Sequence, residues 1–247
     1  MTSRAWVPVL LLVAMAALCV RLGFWQLSRL AEKRRGNAAL REAMIRPPVE
    51  HGPLPGPLDR VRNRRVRLSG HYDETRQVLV PGHAPGDMPG VRVITPLTLD
   101  VWGAVLVDRG WITTGDPASV RLEEWHEPGE VTVIGLAESL ATRTRGATWR
   151  TLESDSVYVW STAWLALDSL KSRLPYVLAP YLVRQLPAPG VPTRPLRAVP
   201  APLDENVHLS YSIQWFLIAL ILLSGAFVLQ RAARRGAGPP RAPSGGG

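Results

Sequence analysis

The sequence predicts an α+β membrane protein in which a hairpin of two transmembrane helices encloses one soluble domain, a mainly antiparallel β structure with a few helices. Two apolar runs, at residues 6–25 and 209–229, predict the spans. About 20 residues at about 1.5 Å each cover the roughly 30 Å hydrocarbon core of a bilayer. The intervening residues 26–205 are too polar to enter it, and they contain short alternating segments separated by Gly, Pro and Asp, which is typical of an antiparallel sheet.

The first span is predicted to be an uncleaved anchor. Trp6 and Trp25 stand at its two ends, where tryptophans favour the membrane interfaces, and Arg21 alone interrupts it. A cleaved signal peptide is the alternative, but only Arg4 precedes the apolar run. No small-x-small cleavage site follows before Arg29, and this favours an anchor.

The second span, residues 209–229, is followed by Arg231, Arg234 and Arg235 and by a tail rich in Gly, Pro and Ser. Residues 230–247 are therefore predicted to form a disordered cytoplasmic tail. Basic residues also follow the first span, so charge alone does not decide the orientation. Because long loops translocate largely regardless of charge, we expect both termini inside and residues 26–205 outside the cytoplasm. A composition rich in Arg, Ala, Pro and Gly is typical of a high-GC bacterial genome, and it favours a bacterial plasma membrane.

Composition and motifs exclude several classes of protein. The net charge of +9 comes from 27 Arg and 2 Lys and is concentrated beside the spans and in residues 60–67. Lipid headgroups explain most of it. Basic residues are not interleaved with stacking aromatics, so no nucleic-acid partner is predicted. Cys19 is the single cysteine, which excludes an intrachain disulfide and a thiolate copper chaperone. No Walker loop, dinucleotide-binding glycine motif or Gly-x-Ser-x-Gly elbow occurs, and residues 81–90 are interpreted as a flexible surface loop.

The soluble domain is predicted to begin with a helix over residues 26–45 that continues the first span and ends before Pro47. Alternation and turn residues predict strands. These strands cover residues 65–70, 77–80, 91–99, 104–113, 131–137 and 176–185. A helix capped by Ser161 is predicted over residues 162–174, and residues 186–202 have the composition of an extended linker.

The charge pair Asp108-Arg109, followed by Gly110, interrupts an apolar strand. A bulge or turn beside an interaction surface would account for it, and a structural salt bridge is favoured over catalysis because no base, second carboxylate or metal ligand stands at a suitable spacing. Arg65 and Arg67 alternate with apolar residues. They are expected to face solvent, with contact to an anionic headgroup or propionate as the functional alternative.

His208 stands at the start of the second span and is the strongest candidate for a ligand. At 100° per residue, His208, Tyr211, Ser212 and Trp215 share one helical face, against which a flat apolar cofactor could lie. The alternative is an interfacial histidine whose ring faces headgroups and water. The residues alone leave both interpretations open.

Several motifs carry a resemblance to a known family. The first is the segment Leu22-Gly23-Phe24-Trp25-Gln26-Leu27-Ser28-Arg29, and the others are residues 64–73, 93–97 and 105–112 and the set Asn206, His208, Leu209, Tyr211, Trp215 and Phe216. In content and order these blocks resemble the Surfeit locus protein 1 family of haem-copper oxidase assembly factors. Ser212 stands where alanine is common in the family, and residues 140–159 show little similarity.

The resemblance implies an assembly factor of cytochrome c oxidase that binds haem A and aids its insertion, without catalysing a reaction. It further implies that His208 is a ligand of the haem iron and that Tyr211 and Trp215 contact the ring. Implied partners are oxidase subunits, other oxidase assembly or haem A synthesis proteins, and the bilayer.

Two other classes of function stay open at this point. One is a scaffold that binds oxidase subunits or assembly factors without haem, using Asp108, Arg109, Trp111 and the strand arginines as its surface. The other is a membrane enzyme, against which the lack of a carboxylate dyad, nucleophile elbow or redox site argues.

Overall fold

The computed structural model describes residues 6–50, 61–62, 64–100, 102–141, 148–152 and 159–235. The chain divides into two compact units, which we describe separately. One comprises residues 1–38 and 202–247 and the other residues 39–201. The disordered tail was predicted to begin at residue 230, but residues 230–235 belong to a helix, and the rest of the tail, from residue 236 onward, lies outside the described residues.

The first unit is helical. Helix α1 covers Trp6–Ile45 and therefore continues without a break from the apolar run into the polar segment, as predicted. The second long helix, Asn206–Arg235, is called α3 below. Both helices are long and apolar enough to cross a membrane. The bounds 6–25 and 209–229 of the spans themselves stay predictions.

The two long helices pack antiparallel along small residues. Their shared core contains the buried residues Ala16, Cys19 and Ala219. Further along, a Cβ atom added at Gly225 would lie 3.9 Å from Cδ1 of Leu12. Small side chains let two helices approach closely where no water drives them together, and this favours a hairpin in a bilayer.

The second unit is β-rich, so the predicted α+β class is confirmed. Its strands are β1 (Val49–Glu50), β2 (Arg65–Tyr72), β3 (Val78–Ala84), β4 (Met88–Leu99), β5 (Trp102–Thr113), β6 (Glu130–Ser139), β7 (Trp149–Leu152), β8 (Val159–Thr162) and β9 (Leu178–Gln185). A short helix, α2, covers Leu167–Lys171, and two 3₁₀ turns cover Pro117–Ser119 and Leu122–Trp125.

Five strands close into a barrel. The sheet order is β1-β2-β6-β9-β5-β4-β3-β8-β7, and a further pairing of β2 with β4 closes the ring β2-β6-β9-β5-β4. Most neighbours are antiparallel, as predicted, but the pairs β1–β2, β3–β8 and β5–β9 are parallel. Closure leaves β1 and the β3-β8-β7 extension as the parts of the sheet outside the ring.

The two largest apolar clusters among the described residues of this unit lie on opposite faces of the strands. The first fills the barrel with one face of each strand, including Leu68, Val107 and Tyr181. The second covers the outer face of β3, β4, β5 and β9, where Leu170 of α2 is fully buried. Apolar side chains are buried on both faces of the strands. Each fully buried side chain of this size contributes about 1.5–3 kcal/mol relative to an exposed one, so both faces stabilise the unit.

The helix predicted over residues 162–174 is present, but it is much shorter and Ser161 does not cap it. Thr162 ends strand β8, and the helix is limited to Leu167–Lys171. Trp160 and Ser161 pair in parallel with β3, so hydrogen bonds to a strand distant in sequence override the local helix signal. Strands β1, β7 and β8 were not predicted from the sequence.

Residues 81–90 do not form a flexible loop. They lie in a hairpin in which β3 pairs with β4 as far as Ala84 and Met88. Between these residues the order Pro85-Gly86 is that of a type II turn, and the Asp87 N–H donates to the Ala84 carbonyl at 3.1 Å. The composition correctly indicated a turn, but it did not indicate that the residues on both sides of the turn pair as strands β3 and β4.

The predicted linker after β9 contains no helix or strand between residues 186 and 201, but it is attached to the barrel. Leu196 and Trp111 exchange two backbone hydrogen bonds of 2.7 and 3.0 Å. Gly110 permits this contact, because its φ is 118° and a Cβ there would lie 2.4 Å from the Leu196 carbonyl oxygen. The segment of residues 186–201 is therefore attached to the barrel and is not a free spacer. It is called the strap below.

Candidate functional site

His208 lies in the first turn of α3, half-buried, and its ring contacts the other long helix. Its Nδ1 is 2.7 Å from Oε1 of Gln26 on α1. An amide oxygen only accepts, so in the neutral form of the ring this bond places the proton on Nδ1 and leaves the lone pair on Nε2. Among the described residues no hydrogen-bond partner of Nε2 is present. This tautomer is the one that a histidine needs in order to bind a metal through Nε2.

The helical face predicted from the sequence divides in the structure. Ser212 is buried against α1, and its hydroxyl donates to the Leu209 carbonyl at 2.8 Å. Trp215 packs against the core of the helix pair, whereas Tyr211 is 48% exposed. Of the two predicted ring contacts, Tyr211 is thus the accessible one, and no observation tests the role of either.

Gly23 and Phe216 form the contact next to His208 along the helix pair. A Cβ at position 23 would lie 2.7 Å from two carbons of the Phe216 ring, so only glycine fits without displacement. Phe24 meets the same ring edge-on, with centroids 5.4 Å apart. Two segments singled out in the sequence, around Gly23 and around His208, are therefore packed directly against each other.

Asn37 fixes the chain where it enters α3. Its side chain is 3% exposed, donates to the Leu203 carbonyl at 2.9 Å and accepts from the Leu203 N–H at 2.8 Å. It also donates to Glu205 at 2.8 Å, and Asp204 accepts the Asn206 N–H at 2.9 Å. These bonds fix where α3 begins along α1, and they therefore also fix the position of His208.

The donors at this site fit a cofactor that brings most of its own ligands. The described part of the chain has no group of three or more His, Cys, Asp and Glu residues that could hold a metal ion. A haem provides four ring nitrogens and requires only an axial ligand from the protein, which one neutral imidazole supplies. His208, with Nε2 unpaired among the described residues and apolar helix surface beside it, meets that requirement.

The β unit contains a second polar cluster, centred on Arg109, which is 1% exposed. Its terminal nitrogens donate to Glu74 at 2.9 Å, to Glu127 at 2.8 Å and to the Trp125 carbonyl. The guanidinium carbon lies 4.7 Å from the centre of the Tyr72 ring. Burial raises the pKa of Tyr72 well above its usual range, and the nearby Arg109 opposes that shift in part.

Arg197 of the strap belongs to the same cluster. It donates to Glu127 at 2.5 Å and to Gln185 at 2.9 Å, so two arginines share one carboxylate. His126 contacts the second oxygen of Glu74. Buried charges with several partners are stable in place, but removing one partner leaves the others unpaired.

Asp108 lies on the opposite side of β5 from Arg109 and is 2% exposed. It accepts two hydrogen bonds from Arg92, at 2.8 and 2.6 Å, and one from the Gly110 N–H at 3.1 Å. The register with β4 shifts here, since Ile94 pairs with Asp108 and Val93 with Gly110. The predicted strand irregularity and structural salt bridge are confirmed.

Burial of Asp108 and Arg109 rules them out as the docking surface expected under the scaffold hypothesis. The strand arginines are nearer the surface, and both contact the chain itself. Arg67 is 3.1 Å from Glu50 with its side chain 44% exposed, and Arg65 donates to the Arg46 carbonyl at 2.8 Å. Binding of an external anion by these two residues is untested.

Sequence reasoning missed the residues that support each cluster. Gln26 was visible as part of a motif, but its partner is 182 positions away. Asn37 and Arg197 carried no motif signal. Asn37 is an amide inside a helix and Arg197 is an arginine inside a proline-rich segment, and both placements are unusual. Neither placement indicates which residue the side chain contacts.

Comparisons with known proteins agree with the motif content. The sequence model of the SURF1 family matches residues 13–220. A SURF1-like protein of Monosiga brevicollis is 26% identical over 235 residues, covering 89% of this chain and 88% of that protein. A SURF1-like protein of Rickettsia bellii is 26% identical over 114 residues, and the chain spans a little under half the length of that relative, 46%.

Proposed function

Because the chain belongs to the SURF1 family, which is known as a family of cytochrome oxidase assembly factors, we propose that it assists assembly of cytochrome c oxidase by binding haem A and aiding its insertion. His208 would be an axial ligand, and Tyr211 and Trp215 would contact the ring. The family is generally non-enzymatic, and the proposal includes no catalytic step.

One observation carries the haem proposal. Gln26 holds Nδ1 of His208 at 2.7 Å, and in the neutral form of the ring this bond leaves Nε2 as a lone-pair donor at the start of an apolar helix. Haem A supplies a redox-active iron in an apolar macrocycle with a lipid-like tail, and anionic propionates that favour water or arginine. At the boundary between an apolar helix and a polar segment, the macrocycle and its tail could contact apolar side chains while the propionates face water or arginine.

The cofactor proposal is tested with the full chain, purified in detergent from a host that makes haem A. His208→Ala should insert and fold normally, since an interfacial histidine contributes little packing, and it should lose the haem absorption bands. Matched controls are His71→Ala, whose ring is 54% exposed and 3.9 Å from Asp100, and His126→Ala. Haem recovered on His208→Ala with an unchanged spectrum would reject this ligand.

The scaffold alternative predicts a different result in the same preparation. Oxidase subunits or other assembly factors would be recovered with the wild-type chain while haem bands were absent. Haem A synthesis proteins are further partners under our proposal, because a carrier must receive the cofactor from its source.

We also propose that the chain lies in a bacterial plasma membrane with residues 26–205 outside the cytoplasm and both termini inside. Reporter fusions at Gly86, in the exposed hairpin turn, and after Gly236 should report opposite sides. A reporter that is active in the cytoplasm when fused at Gly86 would reverse the assignment.

A further inference from the structure

We propose that Gln26 is the positioning residue of the haem ligand, and that its neutral amide keeps the bond between His208 and iron weak enough for release. This inference rests on the proposed function, since it assigns a role toward the same cofactor. It adds a residue from the first long helix to a site that the sequence placed on the second helix alone.

Both long helices contribute to the position of the His208 ring. Oε1 of Gln26 is 2.7 Å from Nδ1 of His208, and the two residues belong to different helices. The Gly23–Phe216 contact lies on one side of this bond and the Asn37–Leu203 bonds lie on the other. Both neighbouring contacts fix the register of the helices, so the amide and the ring are held opposite each other.

The chemistry of the acceptor decides how strong the ligand is. Metal-binding histidines commonly donate their second N–H to a carboxylate, a carbonyl or water, and this partner sets ring orientation and basicity. A carboxylate draws the proton and makes the ring a stronger ligand, whereas an amide oxygen orients the ring without a charge. A protein that hands its cofactor on requires orientation with moderate strength, which is what glutamine provides.

The first measurement needs no haem. In protein labelled with ¹⁵N-histidine, in mildly alkaline buffer where ordinary imidazoles are neutral, the nitrogen shifts of His208 should show the Nδ1–H tautomer. Gln26→Leu should shift the ring toward the Nε2–H tautomer or a mixture. The matched control is Gln214→Leu, because Gln214 is an exposed glutamine on the same hairpin whose amide contacts Ser210 and not His208.

The second measurement uses haem-loaded full chain and an excess of a haem-scavenging globin. Gln26→Leu should lose haem at least about tenfold faster than wild type, as expected when the partner of a ligating histidine is removed. Gln26→Glu should lose it more slowly and show a lower reduction potential, because a carboxylate increases ligand basicity. Gln214→Leu should match wild type in both readouts.

The outcomes separate the two proposals. If wild type binds haem through His208 but Gln26→Leu keeps the wild-type tautomer and release rate, the role of Gln26 is rejected and the function stands. If wild type binds no haem, the proposed function is rejected and the role of Gln26 with it. Circular dichroism of each variant must show an intact helix pair, and Gln26→Glu, which retains an acceptor, keeps the test valid if Gln26→Leu fails to insert.

Discussion

Arg109 of the β unit and His208 of the helical unit use hydrogen bonds in opposite ways. Arg109 is fully buried, and both of its terminal nitrogens are held by Glu74, Glu127 and the Trp125 carbonyl. His208 is half-buried, one ring nitrogen is held by Gln26, and the other has no hydrogen-bond partner among the described residues. A charge enclosed by several partners serves the fold, whereas a ring oriented at one atom and left unpaired at the other is suited to bind a ligand.

The largest effect on stability is expected for Arg109→Met. This substitution preserves the side-chain volume but removes one hydrogen-bond partner from each of Glu74 and Glu127. The free energy of unfolding should fall by about 3–5 kcal/mol, the usual cost of breaking a buried ion pair on one side. Denaturant unfolding of the full chain in detergent, followed by tryptophan fluorescence, measures it. Haem content per folded molecule should not change.

Arg67→Met is the matched control for Arg109→Met, since Arg67 is a strand arginine with one ion pair among the described residues and a 44% exposed side chain. Its effect should stay below about 1 kcal/mol. Equal effects at positions 67 and 109 would contradict the structural role of the buried cluster.

A smaller loss is expected for Asp108→Asn. Asparagine retains one acceptor oxygen but weakens the paired bonds from Arg92, and bonds to charged groups are each worth about 1.5–3 kcal/mol. Protein level in the membrane and the thermal midpoint should both fall. A variant that is abundant and recovers its partners normally, yet leaves the oxidase inactive, would instead indicate a chemical role for Asp108.

Gly23→Ala should destabilise the protein less than Arg109→Met or Asp108→Asn, but its effect should extend to the haem site. Its added Cβ would meet the Phe216 ring at 2.7 Å, and such overpacking costs about 1–3 kcal/mol unless the ring moves. Haem recovery should therefore drop in the single variant and return in Gly23→Ala/Phe216→Leu, where the ring is removed. Failure of the double variant to recover haem would show that Gly23 acts by another route.

Local patterns were sufficient for most elements. The apolar runs predicted two helices because length and absence of charge are the whole requirement for crossing a bilayer. Alternation predicted β2, and the turn residues between apolar segments predicted β4, β5 and β6, whose faces are buried in the barrel or on its outer side. The irregularity at Asp108 was also visible, because a charge pair before a glycine is foreign to an apolar strand.

Local patterns failed where pairing partners were distant. Ser161 resembled a helix cap, but its backbone pairs with Leu79 of β3. Residues 186–202 resembled a spacer, but Arg197 inserts into the buried cluster through Glu127. In both cases a hydrogen bond to a residue many positions away outweighed the local preference, which is worth well under about 1 kcal/mol per residue.

The sequence by itself determined which elements form, which runs are apolar enough for a membrane and which histidine stands at a boundary, because each of these depends on near neighbours in the chain. Only the tertiary structure decided that Gln26 meets His208, that Phe216 covers Gly23 and that Arg109 is enclosed. Those contacts join residues from different elements, and their energies depend on burial and on angles between donors and acceptors. Neither quantity exists until the helices and strands have packed.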